Sequence, residues 1–332
     1  MALDTAPDAR PVGFIGLGRM GIPIARRLIA RGIPLVLHNR TAGKAEELLA
    51  LGARWADSPA AVARAVDGGV VFTLLTDGRA LRSVLFGRRG IARGARPGTL
   101  VVDLSTIAPE ESRTVAARLA ARTIGFVDAP LGGSTAAAAE GKLLVFAGGP
   151  ASEFERARPL LAAFGRRVEH LGPVGAGTSM KLVNNLLTIA HVALAGEALA
   201  LAGALGLDRE RTIDLLLDGG GQSRMLEGKR EAFSRREYPP AFLLALAAKD
   251  LGLIEKAARS AGGRVPLAHA VRRAAEQSAA AGRSGQDFSA MFEEAIGRFP
   301  APTSPEPVRE PTPPALSDDR TPSEPPRGGR PA

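Results

Sequence analysis

Three glycines follow a short apolar run near the N-terminus, and their spacing limits what the chain can fold into. The run continues into Gly-Leu-Gly-Arg-Met-Gly, which matches the spacing G-x-G-x-x-G at Gly16, Gly18 and Gly21. A helical pattern occupies residues 22–30, and a second apolar run at 34–37 predicts another strand. A strand, a glycine turn, a helix and a second strand in this order are typical of a dinucleotide-binding fold.

Each glycine has its own physical task in such a turn. Gly16 permits the tight turn, Gly18 lets the backbone approach a pyrophosphate, and Gly21 lets the helix pack closely on the sheet. The start of the helix then presents free N–H groups to the phosphates. The alternative is a glycine-rich turn that holds no ligand. We favour a cofactor site, to which this loop contributes Gly16, Leu17, Gly18, Arg19, Met20 and Gly21.

The end of the second strand indicates which dinucleotide binds. Enzymes that use NAD usually place an Asp or Glu about 20 residues after the turn, where it holds the ribose hydroxyls. This chain has Asn39, Arg40 and Thr41 there instead. Arg40 can clamp a 2′-phosphate and its polar neighbours can hydrogen-bond it, unless Arg40 is simply one more surface arginine. We predict NADP(H) as the preferred cofactor and NAD(H) as an alternative.

The composition excludes several classes of protein. The chain has no cysteine, so it has no disulfide, no zinc–thiolate site and no thiol nucleophile. Its net charge of +9 is spread along the chain, and one Trp and one Tyr offer little base stacking, so we expect no nucleic-acid partner. Residues 1–11 lack the apolar core of a signal peptide and are predicted to be a disordered lead, which indicates a cytoplasmic protein.

Residues 12–173 alternate between short apolar runs and helical patterns. Further strands are predicted at 70–75, 100–104, 126–128 and 143–147, with helices between them at 60–66, 109–121 and 152–164. This alternation is typical of an α/β fold with a doubly wound parallel sheet. Leu75 and Thr76, at the end of one predicted strand, are assigned to the cofactor site.

Residues 174–298 show only helical patterns, so this half is predicted to be an all-helical domain. Its first helix, residues 178–205, is apolar on nearly all sides, which predicts a helix buried between two domains. It is too polar for a lipid-facing span and we expect no membrane, because it contains Lys181, Asn184, Asn185, His191 and Glu197. Residues 299–332 are rich in Pro, Ser and charge and predict a disordered tail.

Lys181 and Asn185 lie four residues apart on this helix, so they share one face. Burial lowers the pKa of a lysine toward neutrality, which suits proton transfer, whereas an arginine keeps its proton. The chain has only six lysines among 43 basic residues, so a lysine in an apolar helix is unusual here. The alternative is a lysine whose stem is buried while its ammonium reaches water. We interpret Lys181 as an acid/base and Asn185 as a group that orients it or the substrate.

Taken together, the motifs resemble the β-hydroxyacid dehydrogenases, relatives of 3-hydroxyisobutyrate dehydrogenase, tartronate semialdehyde reductase and sulfolactaldehyde reductase. Besides the glycine turn, the likeness rests on Asp103-Leu-Ser-Thr106, Asp128-Ala-Pro130, Gly141-Lys-Leu143, Gly175-Ala-Gly177, Lys181-Leu-Val-Asn-Asn185 and Lys249-Asp-Leu251. The resemblance implies a fold like that of 6-phosphogluconate dehydrogenase, in which a Rossmann domain is followed by a helical domain.

The resemblance also implies a role for each part of the site. Lys181 is the catalytic acid/base, Asn185 orients the substrate, Ser105 and Thr106 lie by the nicotinamide, and Lys249 closes over cofactor and substrate. The implied reaction is the NADP(H)-dependent interconversion of a short hydroxy acid and its aldehyde acid. No metal is needed, because the ammonium stabilises the developing alkoxide. We expect a homodimer or a homotetramer.

One segment departs from the family pattern. After Asp128-Ala-Pro130 the family has Ser-Gly-Gly, or Gly-Arg-Thr in the sulfolactaldehyde-like branch, to bind the acid group of the substrate, whereas this chain has Leu-Gly-Gly-Ser. The N–H groups of Gly132 and Gly133 and the hydroxyl of Ser134 can still hold an anion. Two other functions stay open, an imine reductase-like enzyme and a non-catalytic cofactor-binding sensor or adaptor.

Overall fold

The computed structural model describes residues 10–299, so the predictions for residues 1–9 and 300–332 lie outside the described residues. Its first half is built on a parallel sheet of six strands: β1 Val12–Ile15, β2 Leu35–His38, β3 Arg54–Trp55, β4 Val70–Thr73, β5 Leu100–Asp103 and β6 Gly125–Asp128. The strand order is β3-β2-β1-β4-β5-β6, so the direction of winding reverses between β1 and β4. Ligands bind at such a reversal, outside the carboxyl ends of the strands.

The helices of this half cover both faces of the sheet: α1 Gly21–Ala30, α2 Glu46–Ala50, α3 Pro59–Ala65, α4 Gly78–Phe86, α5 Pro109–Ala120, α6 Thr135–Glu140 and α7 Ala151–Leu161. Because successive strand residues point to opposite faces, Phe14 and Phe72 join one buried cluster while Ile15 and Val71 join another. Both faces are therefore apolar, and the predicted doubly wound α/β class is confirmed.

A second, smaller sheet follows the parallel one. It consists of β7 Leu131–Gly132, β8 Leu143–Ala147 and β9 Gly165–His170, with β7 antiparallel and β9 parallel to β8. The predicted strand at 143–147 is confirmed, but its assignment to the parallel sheet is wrong. Only two residues separate β6 from β7, and a parallel crossover needs a dozen or more, so the chain turns back and starts a new sheet.

The second half of the described chain is helical, as predicted: α8 Ala176–Ala204, α9 Arg209–Asp218, α10 Arg224–Gly228, α11 Arg230–Arg235, α12 Leu244–Ser260, α13 Pro266–Ser278 and α14 Met291–Ile296. Helix α8 packs against α12, α13 and α14 through Leu182, Ile189 and Val192, which belong to the buried cluster of this half. Their spacing of seven and three residues places them on one apolar stripe along α8.

The opposite face of α8 is exposed. Five large apolar side chains there have between 37% and 67% of their surface accessible: Met180, Val183, Leu187, Leu194 and Leu201. The prediction that this helix is buried on all sides is therefore wrong for the single chain. By length and composition α8 could also cross a membrane, and only 33% of its most apolar stretch is buried. A helix with one packed face and one bare face has room for a partner on the bare side.

Candidate functional site

The glycine turn after β1 has the shape that a pyrophosphate requires. Gly16 has a φ of +110°, and a Cβ added there would lie 2.1 Å from the carbonyl oxygen of Leu74. A Cβ on Gly21 would lie 2.0 Å from the carbonyl oxygen of Gly16, because the first turn of α1 sits directly on the loop. A Cβ on Gly18 would meet nothing within 4 Å, so this glycine faces open space. The loop fits a dinucleotide whose phosphates approach the backbone at Gly18.

The residues at the end of β2 divide into one that shapes the loop and two that are exposed. The Asn39 Oδ1 accepts a hydrogen bond from the Leu17 N–H at 3.1 Å, and its Nδ2 donates to the Thr41 carbonyl at 2.9 Å. Asn39 therefore ties the glycine turn to the end of the strand. Arg40 and Thr41 are exposed beside it, and no carboxylate occupies this position.

Two buried carboxylates lie side by side at the carboxyl edge of the sheet. Asp103 ends β5 and Asp128 ends β6, and the two are direct neighbours in register. The Thr73 hydroxyl and the Ser105 hydroxyl each donate to Asp103 Oδ1 at 2.7 Å. Burial raises the pKa of Asp103 to about 6, although these hydrogen bonds lower it. The Ser105 oxygen also accepts from the Leu75 N–H at 2.9 Å, so two predicted cofactor residues hold each other in place.

Lys249 connects the helical half of the protein to the dinucleotide half. Its Nζ donates to the carbonyl oxygens of Thr76 at 3.0 Å and Thr106 at 2.8 Å, which follow β4 and β5 respectively. In the glycine turn, the guanidinium of Arg19 donates to the carbonyl oxygen of Pro240 in the helical half. The Lys249 contacts therefore join predicted cofactor residues of the two halves, and Arg19 adds a second connection between them.

Lys181 lies in a compact cluster of polar side chains. Asn185 Nδ2 donates to Asp250 Oδ2 at 2.7 Å, and Lys249 Nζ lies 3.0 Å from Asp250 Oδ1. Burial lowers the pKa of Lys181 to about 8; the Asp250 charge opposes this shift and the Lys249 charge adds to it. The structure thus unites Lys181, Asn185 and Lys249, and gives the cluster an amine that can change its protonation near neutral pH.

The predicted substrate loop is less free than its sequence implies. Gly132 is buried in β7, and the Ser134 oxygen accepts from the Ala137 N–H at 3.2 Å as the cap of α6. Gly133 is exposed with a φ of +127°, and a Cβ there would lie 2.9 Å from a methyl group of Leu143. An arginine at this position is therefore strained.

Two acidic residues of the site were missed by the sequence reasoning. Asp250 orients Asn185 and faces Lys181, and Asp128 accepts hydrogen bonds from the start of α8. Both stand inside motifs that carry the family resemblance, Lys249-Asp-Leu251 and Asp128-Ala-Pro130. Their place in these motifs is the only sign of them in the sequence, because the residues that they contact lie 65 and 47 residues away in the chain.

The fold and the site together define a dinucleotide-dependent oxidoreductase. Residues 11–172 match the NAD binding domain of 6-phosphogluconate dehydrogenase. Residues 175–295 match the NAD-binding domain of NADP-dependent 3-hydroxyisobutyrate dehydrogenase. The 3-sulfolactaldehyde reductase of Escherichia coli (strain K12) is 36% identical over 284 residues, which cover 85% of this chain and 95% of that protein.

Solved structures agree with these sequence matches. A 3-hydroxyisobutyrate dehydrogenase from Salmonella typhimurium superposes with a TM-score of 0.78 at 31% identity, covering 85% of this chain and 99% of that one. A protein in complex with NADP⁺ and 2-OPP gives a TM-score of 0.77 at 29% identity, with the same coverage of 85% and 99%. The chain belongs to the β-hydroxyacid dehydrogenase family and is an NAD(P)-dependent oxidoreductase.

Proposed function

We propose that the protein uses NADP(H) to interconvert a short hydroxy acid and its aldehyde acid, with Lys181 as the acid/base. The observation that carries this proposal is the cluster of Lys181, Asn185 and Lys249, in which Lys249 also bonds to the backbone just after β4 and β5. A lysine whose pKa is lowered to about 8 both gives and takes a proton near neutral pH, as this reaction requires in its two directions.

The proposed chemistry divides between the cofactor and the protein. When bound, the nicotinamide supplies the hydride for reduction or accepts it in oxidation. In reduction the Lys181 ammonium donates its proton to the carbonyl oxygen of the substrate, and in oxidation the neutral amine takes that proton from the hydroxyl. Asn185, held by Asp250, orients the substrate oxygen toward Lys181. Both steps need the amine within hydrogen-bonding reach of one substrate oxygen.

The preference for NADP(H) rests on Arg40. It is exposed at the end of β2, where a 2′-phosphate of the cofactor lies in folds of this kind, and no carboxylate is present there to repel it. A relative at 29% identity is known in complex with NADP⁺. The cofactor residues of the proposed site include the glycine loop, Asn39 to Thr41, Leu75 with Thr76, Ser105 with Thr106, and Lys249.

The proposed substrate is a compact anion. The ammonium groups of Lys181 and Lys249 outnumber the Asp250 carboxylate beside them and leave the cluster positively charged. Gly133, exposed after β7, offers a backbone N–H donor. Relatives named after 3-sulfolactaldehyde and 3-hydroxyisobutyrate are consistent with a small acid. Since Gly133 stands where the sulfolactaldehyde-like branch has an arginine, we expect carboxylates such as succinate semialdehyde or methylmalonate semialdehyde to be better substrates than the sulfonate.

A screen of NADPH oxidation tests this proposal directly. Absorbance at the NADPH band is followed with short aldehyde acids, keto acids, sulfolactaldehyde, uncharged aldehydes of similar size and cyclic imines. We expect the highest kcat/KM with a short aldehyde acid, because it pairs a reactive aldehyde carbonyl with a carboxylate, whereas the uncharged aldehydes and the imines lack the anion. Preference for an uncharged aldehyde or an imine would contradict the hydroxy-acid assignment, and tight NADPH binding without turnover would favour a sensor.

The protein is further proposed to be cytoplasmic and to divide into two domains between residues 173 and 174.

We also propose that the protein is a homo-oligomer, which pairs through the exposed face of α8. The exposed apolar side chains of α8 recur at intervals of three, four, seven and seven residues along a helix about 44 Å long, which is the pattern of a helix–helix seam. A second copy presents the same face, and twofold pairing of such a face is the commonest solution in soluble oligomers.

We therefore expect a mass of at least twice 34.4 kDa by light scattering coupled to size exclusion. Leu187→Arg with Leu194→Arg puts two charges into the proposed seam and lowers the mass to that of the single chain. Leu51→Arg is the matched control, because Leu51 is also an exposed leucine but lies beside α2, outside the helical half. A single-chain mass for the unmodified protein would contradict the seam.

A further inference from the structure

Helix α8 begins without a cap of its own. Its N-cap residue, Gly175, has a φ of +94° and no side chain that could accept from the first N–H groups of the helix. Asp128, at the end of β6, supplies the missing acceptor from 47 residues earlier: its Oδ1 accepts from the Gly175 N–H at 2.7 Å. Its Oδ2 accepts from the Thr178 N–H at 2.7 Å and from the Thr178 hydroxyl at 3.1 Å.

We propose that Asp128 is a positioning residue that sets where Lys181 stands relative to the cofactor. This inference rests on the proposed function of Lys181. Thr178 precedes Lys181 by three residues, so the anchored turn and the lysine lie on neighbouring turns of one rigid helix. A shift of the anchor along or around the helix axis moves the amine by a similar amount.

The start of α8 packs closely against the backbone beside Asp128. A Cβ on Gly177 would lie 2.6 Å from the Asp128 carbonyl oxygen and 2.2 Å from that of Phe146. The first turn of α8 therefore rests directly on the ends of β6 and β8. Both oxygens of the carboxylate are needed as acceptors, since each faces at least one N–H group.

Charge favours the same arrangement. A carboxylate at a helix N-terminus interacts well with the partial positive charge of the helix dipole. Burial raises the pKa of Asp128 to about 6, while its hydrogen bonds from Gly175 and Thr178 lower it, so the group is ionised at neutral pH. Because the joined elements belong to the two halves of the protein, the pairing fixes the lysine helix to the sheet edge that carries the glycine turn.

Asp128→Asn is the main test, because it keeps the size of the side chain and replaces one acceptor oxygen by an N–H donor. We expect hydrogen exchange at the start of α8 to accelerate by roughly 10-fold or more, as one charge-assisted hydrogen bond is lost. We expect kcat to fall by roughly 10-fold or more, since small misplacements of a reacting group are costly. The NADPH affinity should stay within about twofold, because none of the proposed cofactor residues lies on α8. The KM should change by a smaller factor than kcat, because the transferred proton is on Lys181 and the main loss is in the transition state.

Two variants of Thr178 and one matched carboxylate complete the design. Thr178→Val removes the hydroxyl with its contacts to Asp128, the Gly175 carbonyl and Ser112, but keeps the bond from the Thr178 N–H to Asp128. It is expected to lower kcat by a smaller factor than Asp128→Asn, whereas Thr178→Ser keeps the hydroxyl and should keep kcat close to that of the unmodified protein. This pair decides the matter even if Asp128→Asn does not fold. Asp103→Asn is the control for loss of a neighbouring buried carboxylate, and it should leave exchange at the start of α8 unchanged because Asp103 contacts Thr73 and Ser105 instead.

Each outcome is informative. Unchanged exchange in Asp128→Asn, or faster exchange with an unchanged kcat, would overturn the positioning role. If the unmodified protein turns over no substrate, the proposed function fails, but the positioning role of Asp128 can still be tested on the Lys181 amine. The pKa of Lys181, measured by NMR after ¹³C-methylation of the lysines, should then change in Asp128→Asn, because a displaced amine has a different burial and different distances from Asp250 and Lys249, and an unchanged pKa would overturn the proposal.

Discussion

Lys181→Ala lowers kcat in both directions by at least roughly 10²-fold, the usual contribution of a positioned acid/base. The variant folds and binds NADPH as before, because Lys181 follows the dinucleotide half in the chain and its burial is itself unfavourable to the charged form. Steady-state kinetics and NADPH fluorescence titration check the two statements. Lys256→Ala is the matched control, since Lys256 is an exposed lysine on α12, seven residues beyond Lys249.

Lys181→Arg is expected to be nearly as poor as the alanine variant. A guanidinium keeps the positive charge but does not release its proton near neutral pH. An arginine variant with close to full activity would mean that the charge alone suffices and that proton transfer is not the role of this residue.

The pH dependence of the reaction tests the same acid/base role of Lys181. Reduction needs the protonated amine, so its rate should fall as the pH rises through about 8, and oxidation should rise over the same interval. Lys249→Gln removes a neighbouring positive charge that lowers the pKa of Lys181, so the midpoint should move up. Asp250→Asn removes a negative charge that raises this pKa, so the midpoint should move down. Shifts in the same direction for both variants would contradict the assignment of the titrating group.

The parts of this site that the sequence predicts are those encoded by neighbours in the chain. Gly16, Gly18 and Gly21 stand within one turn, and the alternation of strand and helix repeats over short distances, so both can be recognised locally. Lys181 and Asn185 share a helix face by their spacing alone. The family resemblance adds Lys249, which the structure joins to Thr76 and Thr106.

The parts that sequence reasoning misses depend on contacts between distant segments. Asp128 meets Gly175, and Asp250 meets Asn185, across 47 and 65 residues, and no periodicity connects such pairs. The sequence also wrongly predicts that α8 is buried on all sides, for a related reason. A helix that is apolar on all sides has to be covered, but its composition does not tell whether its own chain or another copy covers it.

Arg40→Ala is expected to weaken the binding of NADPH and to leave that of NADH nearly unaffected. The loss of a charged hydrogen bond to the 2′-phosphate costs about 1–3 kcal/mol, which corresponds to a roughly 5- to 150-fold higher Kd. The lower end of this range applies if water screens the exposed guanidinium strongly. Titration of the protein's fluorescence with each cofactor measures both affinities in one experiment. Arg31→Ala is the matched control, because it removes the same charge from an exposed position. Arg31 follows the C-terminal end of α1, whereas the glycine turn precedes the N-terminal end of that helix.

The neighbouring asparagine allows the opposite experiment on the same pocket. Asn39→Asp keeps an oxygen for the Leu17 N–H and loses the donor to the Thr41 carbonyl, so the glycine turn should stay in place. The new carboxylate repels a 2′-phosphate and can hold the ribose hydroxyls of NAD. Combined with Arg40→Ala, it should therefore reverse the preference from NADPH to NADH. Equal affinities of the unmodified protein for the two cofactors would contradict the role of Arg40, because a clamp on the 2′-phosphate acts on only one of them.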